Sequence, residues 1–444
     1  MRIQLSDHFT YGKLIRFTLP SMGMIIFMSV YGVVDGFFVS NFAGKTPFAA
    51  VNLIMPFLMI LATVGFMFGA GGSALVAKTF GEGDYDRGNR YFSLLVYTSL
   101  VLGIVLAAVS MLFLRPIARW LGADGALLDD CVTYGRILLL ALPFNILQFV
   151  FQSFFTAAEK PKMGLYTTAA SGIANMLLDA VLVILLPQPL KLTGAAIATA
   201  ASQLLGGLVP LIYFARPNNS LLHLGKTRFD GRALVKTCTN GASEFMSNIS
   251  MSLVGMLYNF QLIAYAGQDG IAAYGVMMYL SMIFSGAFVG YSIGTAPVVS
   301  FHFGAQNHSE LRSLLRKSGI LIGAFAAAML LAAELLARPL SMLFVSYDAK
   351  LLELTVSGLR IFSVSFVFMG FAIFSSGFFT ALNDGLTSAL ISFLRTVVFQ
   401  VAAVLLLPLW WGIDGVWISV VAAEAMAVLF CAVFLAVKQK KYQY

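Results

Sequence analysis

The chain has 444 residues, 59% of them hydrophobic and only 11% charged, with a net charge of +8 and a mean hydropathy of +0.87. Soluble domains carry roughly 25% charged residues, so this composition excludes a water-soluble globular protein and points to lipid as the main solvent. Three widely separated cysteines (Cys131, Cys238 and Cys431) offer neither a disulfide framework nor a metal-ligand spacing.

In chain order, a short polar lead-in, MRIQLSDHFTYGK, precedes an apolar run too long for a signal-peptide core. That run reads as the first transmembrane helix. Apolar stretches long enough to cross a bilayer as helices then recur at roughly 14–41, 47–77, 89–114, 127–157, 163–187, 192–215, 234–266, 271–301, 313–337, 351–381, 386–409 and 413–437. Some are longer than a bilayer requires, so those helices tilt or protrude. The predicted fold class is all-α integral membrane, with twelve transmembrane helices.

Lysine and arginine orient the spans. The N-terminus, the loops near 78–90, 159–162, 216–236 and 312–317, and the tail VKQKKYQY hold about nineteen basic residues, and the positive-inside rule makes that side cytoplasmic. Lys45, Arg115, Arg119, Lys191, Arg338 and Lys350 fall on the other side. The positive charge is thus a topology signal, and no nucleic-acid partner is expected. Both termini are placed in the cytoplasm. The longest polar connection, RPNNSLLHLGKTRFDGRALVK (216–236), follows the sixth span. It suggests an N-terminal lobe at 1–215, a linker at 216–233 and a C-terminal lobe with a basic tail at 234–444.

The halves resemble each other. GFMFGAGGSALVAKTFGEGD (65–84) aligns without gaps to FVGYSIGTAPVVSFHFGAQN (288–307), so that Gly71, Val76, Phe80 and Gly81 meet Gly294, Val299, Phe303 and Gly304. The same offset of 223 pairs Gly44 with Gly267 and Met55 with Met278, and FFTA at 154–157 recurs one residue shifted at 378–381. Six spans per half make the repeat parallel, with its pseudo-axis along the membrane normal. In transporters of that architecture substrate passes between the lobes.

Ionisable residues inside spans cost about 2.5–3.5 kcal/mol each on insertion scales and are kept for function or pairing. Asp35, Asp179, Glu244, Glu424, Arg136, Arg360 and Arg395 are such residues. At 1.5 Å of rise per residue, Asp35 lies in the outer half of the first span. Asp179 reaches a similar depth in the fifth, with Asn175 one turn away on the same face. Thr199 reaches it from the other direction in the sixth. Two acids with amide and hydroxyl oxygens suit a hard monovalent cation such as Na⁺, or a shared proton, because neighbouring carboxylates in low dielectric do not both stay charged without a counterion. The plainer alternative is that each acid hydrogen-bonds an adjacent helix.

Glu244 lies nearer the cytoplasmic side of the seventh span, among Met246, Met251, Met256, Tyr258, Asn259, Met277, Met278, Tyr279 and Met282. A lone acid among shape-adapting methionines and aromatic faces suits a bulky lipophilic cation. Glu244, Met251, Tyr258, Met278 and Met282 are the expected substrate contacts, against the alternative of ordinary packing. Pro20 sits early in the first span, where a proline predicts a kink; Pro56, Pro143 and Pro297 are placed similarly. Arg360 and Arg395 receive no role. GAGGSA (69–74) lies inside a span and lacks the Lys-Ser/Thr of a phosphate loop. No nucleophile elbow or histidine ligand spacing occurs. An enzyme is not expected, no cofactor is, and an ion gradient is the simpler energy source.

LPSMGMIIFMSVYGVVDGFFVSNFAG, GFMFGAGGSALVAKTFGEGD, FFTAAEKPKMG, ANMLLDAVLVILLP and TGAAIATAASQ together resemble the multidrug and toxic compound extrusion (MATE) family, in its bacterial MepA-like and DinF-like branch. The resemblance runs end to end. It implies two six-helix lobes and drug export coupled to inward H⁺ or Na⁺ flow. Asp35, Asn175, Asp179 and Thr199 match the family's N-lobe cation network; Gln152 stands where that network has an asparagine. Pro20 matches a proline linked to bending of the first helix, and Glu244 matches a seventh-helix acid. A tenth-helix acid of some members has no counterpart, Asp384 falling in the loop beyond.

The leading expectation is an inner-membrane antiporter exporting lipophilic, often cationic, small molecules, acting as a monomer among membrane lipids. A flippase for a lipid-linked precursor is the alternative, but it predicts a basic hydrated cavity and extra helices. A receptor or scaffold would need a larger soluble domain than a loop of about twenty residues provides.

Overall fold

The computed structural model describes residues 3–346 and 348–444, without the side chains of Ser40, Ser252, Gln268 and Phe344. The spans are α1 (Tyr11–Phe38), α2 (Lys45–Gly81), α3 (Tyr85–Trp120), α4 (Gly125–Ala157), α5 (Pro161–Leu185) and α6 (Lys191–Ala215). They continue as α7 (Gly231–Gly267), α8 (Asp269–Gly304) and α9 (His308–Val345). The tenth span, α10, is broken into Ala349–Ser363 and Ser365–Ala381, bent by 44°. α11 (Gly385–Leu406) and α12 (Pro408–Tyr442) close the chain. Among the described residues, eleven helices are long and apolar enough to cross a membrane singly, and the bent pair makes the twelfth. Large apolar side chains such as Leu112, Leu177 and Leu335 stay exposed, as lipid-facing residues do.

The break in α10 falls at Val364, between two serines. Ser363 turns its hydroxyl back to the Arg360 carbonyl at 2.9 Å and also donates to Glu334 at 3.0 Å. Such back-bonding bends helices.

The repeat offset is visible in the backbone. Gly44 ends the first span at φ 109° and Gly267 ends the seventh at φ 61°, the left-handed region where a side chain is strained. Asp84 and Asn307, also 223 apart, cap the helices after the second and eighth spans by accepting from the Arg87 and Glu310 amides.

The lobes meet along a seam of glycines at the end carrying both termini, the basic face. Gly81 of α2 packs on the Phe301 carbonyl of α8, and Gly304 packs on the Lys78 carbonyl. These two contacts exchange under the 223 offset. Gly71 of α2 meets the backbone of Thr237 and Gly241 in α7, while its counterpart Gly294 packs on Thr18 in α1. Backbone-to-backbone approach of this kind requires residues without side chains. Farther from the basic face, Met59, Met251, Met256 and Met282 are exposed.

The N-terminal segment crosses the basic face. The Leu5 amide donates to Glu159 at 2.8 Å on the first lobe, and the Phe9 amide to Glu310 at 2.9 Å on the second. His8 adds a 2.6 Å contact to Glu310, and Lys317 donates to the Phe9 carbonyl. The C-terminal tail docks nearby through a Lys438–Asp384 ion pair of 3.3 Å. Burial alone would raise the Asp384 carboxyl, but hydrogen bonds from Tyr442, Thr387 and Lys438 hold it below the usual carboxylate range. Glu310→Ala leaves the buried Phe9 amide without an acceptor, a penalty of about 1–3 kcal/mol. The expected result is a lower melting temperature in detergent, measured by scanning fluorimetry, with Glu310→Gln in between.

Candidate functional site

α1, α5 and α6 place three of the expected N-lobe residues side by side. The Asp35 carboxyl lies within reach of the Asp179 carboxyl and the Thr199 hydroxyl. Asp35 is buried at 8% exposure, and Asp179 and Asn175 are fully buried. Apolar side chains on three helices drive this burial, because the acids share their helix faces with core residues such as Val183. Among the described residues, Oδ1 of Asp35, both oxygens of Asp179 and both amide atoms of Asn175 have no hydrogen-bond partner. Buried polar atoms are otherwise satisfied in folded proteins. This concentration of partnerless oxygens suits a proton or a small hard cation, which oxygen ligands hold. Thr199 also donates to the Ala195 carbonyl at 3.1 Å, one turn back.

Two further groups complete the cluster. Tyr134 of α4, fully buried with an unpartnered hydroxyl, reaches Thr199 and faces both acids. Tyr31, one turn before Asp35, reaches Gln148. An aromatic in an apolar helix gives no sign in sequence that its hydroxyl meets acids, so Tyr134 was not foreseen. Gln152 is not brought to the acids. Its amide donates to the Met28 sulfur at 2.8 Å, two helical turns from Asp35 towards the basic face. There it lines, with Gln148, Thr167 and Thr168, a small space between α4, α5 and α6. Pro20 is buried beside Ser21, and α1 runs through it as one helix before a π-helical turn at Val39–Ala43. π turns are rare and concentrate at functional sites. Should the cluster take up an ion, Tyr134→Phe is expected to weaken that uptake about several-fold without unfolding the lobe, read as a shifted Na⁺ or pH dependence of transport.

Of the expected substrate residues, Met251 and Met282 are exposed, Glu244 and Met278 half-buried and Tyr258 buried. Gly286 and Gly290 of α8 lie against α1 at Ile25 and Met22, and Met282 is one turn before Gly286. Glu244, half-buried, sits one turn beyond Gly241, whose neighbour is the Met67 backbone of α2. Met251 lies two turns farther on the same face and is 57% exposed. Tyr258 departs from expectation. It is sealed in the second lobe, its hydroxyl 2.8 Å from Ser419 and its ring stacked on Tyr274 at 5.3 Å. The repeat offset maps Asp35 onto Tyr258: the second lobe has a hydrogen-bonded phenol where the first has an acid.

Twelve spans in two like halves, with acids buried inside the membrane region, mark a polytopic membrane transporter. The MatE family model matches the chain twice, over residues 20–181 and 245–406, and the chain belongs to that family. The two matched segments correspond to the two halves of the repeat. The chain is 27% identical over 427 residues, 96% of it and 93% of the relative, to the multidrug export protein MepA of Staphylococcus haemolyticus (strain JCSC1435). It is 24% identical to MepA of Staphylococcus aureus (strain MRSA252), covering 94% and 92% of the two chains. In fold it is similar to an outward-facing multidrug resistance MATE family transporter of the MOP superfamily, with a TM-score of 0.92 and 21% identity over 98% of this chain and 97% of the other.

Proposed function

We propose that the protein is an antiporter that exports lipophilic, often cationic, small molecules in exchange for H⁺ or Na⁺. The observation that carries this reading is the Asp35–Asp179 pair, buried together with oxygens that find no hydrogen-bond partner among the described residues. An ion or proton taken up there is substrate, not a resident cofactor. It removes the repulsion between the carboxylates and favours whichever lobe arrangement closes around it. A ligand shifts such an equilibrium only by its difference in affinity for the two states. The exported molecule enters the cleft bordered by Glu244, Met251, Met278 and Met282 and favours the other arrangement. Pro20, without an amide proton, lets α1 flex between the seam and the acids.

In this reading the basic face is cytoplasmic, both termini are inside, and the protein works as a monomer in the inner membrane. Multidrug export by the MepA relatives supports the substrate class. The test is purified protein in liposomes under an imposed pH or Na⁺ gradient, with a fluorescent lipophilic cation as cargo. Efflux accelerated by an inward ion gradient is the expected result. Efflux indifferent to both gradients overturns the proposal.

A further inference from the structure

A groove on the basic face takes no part in the exchange described above. It has a volume of about 380 Å³, is open to the outside, and is lined by Gly231, Arg232, Val235, Lys236 and Thr239 of α7. These positions share one face of the first turns of that helix. The opposite face carries Thr237 and Gly241, which meet Gly71 of α2 at the seam. The groove therefore looks away from the seam, towards the surroundings of the protein. Val235 is 65% exposed there, and the Phe229 ring, 84% exposed, stands beside Gly231 at one end. At the other end the Thr239 carbonyl meets Gly385 of α11, and the next residue, Leu386, is 80% exposed. α7 has 37 residues, about 55 Å at 1.5 Å per residue. That exceeds the roughly 30 Å hydrocarbon core, so its first turns stand at the level of the lipid headgroups.

Arg232 and Lys236 lie one helical turn apart, and no acidic side chain lines the groove with them among the described residues. Asp230, just before, spends its carboxylate on capping α7, accepting from the Arg232 and Ala233 amides at 3.0 and 3.1 Å. The Arg232 guanidinium has no hydrogen bond or ion pair among the described residues. Lys236 gives one hydrogen to the Asn383 carbonyl at 2.6 Å and keeps two for another acceptor. Lys438, by contrast, is already neutralised by Asp384, the residue after Asn383, at 3.3 Å. Two cations without a counter-charge thus stand among exposed apolar side chains. A soluble anion would answer the charges and leave Phe229, Val235 and Leu386 bare. A lipid with an anionic headgroup answers both.

We propose that this groove binds one anionic phospholipid of the surrounding bilayer, its phosphate between Arg232 and Lys236 and its acyl chains against Phe229, Val235 and Leu386. Basic pockets beside membrane helices at headgroup depth recognise such lipids, and each cation near the surface contributes about fivefold in affinity. The volume falls within the roughly 300–1,000 Å³ of small-ligand sites. The site is separate from the Asp35–Asp179 pair, and its occupancy does not depend on ion-driven exchange.

The test is native mass spectrometry of the purified protein in detergent, titrated with dioleoylphosphatidylglycerol or with dioleoylphosphatidylcholine, which has the same chains and no net charge. The wild type is expected to bind one phosphatidylglycerol at least about fivefold more tightly than phosphatidylcholine. Arg232→Gln, which leaves the Lys236–Asn383 bond in place, should weaken phosphatidylglycerol binding about fivefold, and Arg232→Gln/Lys236→Gln about 25-fold, with phosphatidylcholine unchanged. Val235→Asp, at an exposed position, puts a negative charge in the groove and should weaken it at least about fivefold. Lys160→Gln/Lys162→Gln removes the same charge from the start of α5 and is expected to leave the affinity within about twofold of wild type. Inorganic phosphate is expected not to displace the lipid. Equal affinity for the two lipids in wild type overturns the proposal, as does a loss in Arg232→Gln/Lys236→Gln no larger than in Lys160→Gln/Lys162→Gln. Displacement by inorganic phosphate also overturns it, since the groove would then hold a soluble anion.

Discussion

Asp35→Asn and Asp179→Asn will each reduce gradient-driven efflux at least about tenfold, to the level of empty liposomes, while leaving the protein folded and able to bind drug. The amide keeps the size of the carboxyl but does not take up a proton near neutral pH and coordinates Na⁺ without neutralising it. Two carboxylates facing each other in a buried site repel unless something intervenes. Removing one charge relieves that repulsion, so both variants are expected to melt at or above the wild-type temperature. Lost transport with undiminished stability separates a coupling role from a structural one. A structural role predicts the reverse, lower stability with residual coupling.

Gly241→Leu will open the basic face. The glycine lies against the Met67 backbone, and Gly71 across the seam lies against Thr237. Those neighbours are main-chain atoms, which do not step aside as a flexible side chain does. Overpacking typically costs about 1–3 kcal/mol, and here it is charged only to the arrangement in which the seam is shut. About 3 kcal/mol changes the ratio of shut to open by roughly a hundredfold. Ala74→Cys reports on the seam, because Ala74 is fully buried and its carbonyl accepts from Asn383 of the opposite lobe at 3.4 Å. With the three native cysteines replaced, Cys at 74 should be labelled from the basic face in the Gly241→Leu background and protected otherwise. Transport should fall at least about tenfold, because the exchange cycle needs both arrangements. Protection of the cysteine together with wild-type transport would show that the seam is not a gate.

The spans were legible because a bilayer imposes a length and a composition on each of them. The repeat was legible through glycines, since Gly44, Gly267, Gly81 and Gly304 serve backbone geometry that no other residue supplies. The grouping of Asp35, Asn175, Asp179 and Thr199 followed from depth alone, a one-dimensional quantity that sequence spacing preserves. What depth does not give is azimuth. Tyr258 sits at a plausible level among candidate substrate contacts, yet it faces Ser419 and Tyr274 inside its own lobe. Gln152 is on the right helix but two turns from the acids. Tyr134 meets the acids only through a single hydroxyl at the end of an apolar ring. The Arg395–Glu424 pair joins residues on two antiparallel spans through a π turn, and no local pattern announces a π turn. The break in α10 falls where Ser363 bonds back to its own helix, which leaves hydropathy unchanged.

The lobes have therefore diverged within a common frame. The first keeps an acid pair without a protein partner, and the second fills its charged interior with an arginine. In the proposed reading the first lobe takes up the ion, and the glycine seam joins the two lobes at the basic face.

The most direct measurement is the affinity of purified protein for a lipophilic cation as Na⁺ or H⁺ concentration is raised, in wild type and in Asp35→Asn. Linkage is reciprocal: if ion and substrate favour opposite lobe arrangements, raising the coupling ion must weaken substrate binding, and substrate must weaken ion binding by the same factor. The account predicts that dependence in wild type and its disappearance in Asp35→Asn. Substrate affinity that ignores both ions, or an ion dependence that survives intact in Asp35→Asn, would contradict it.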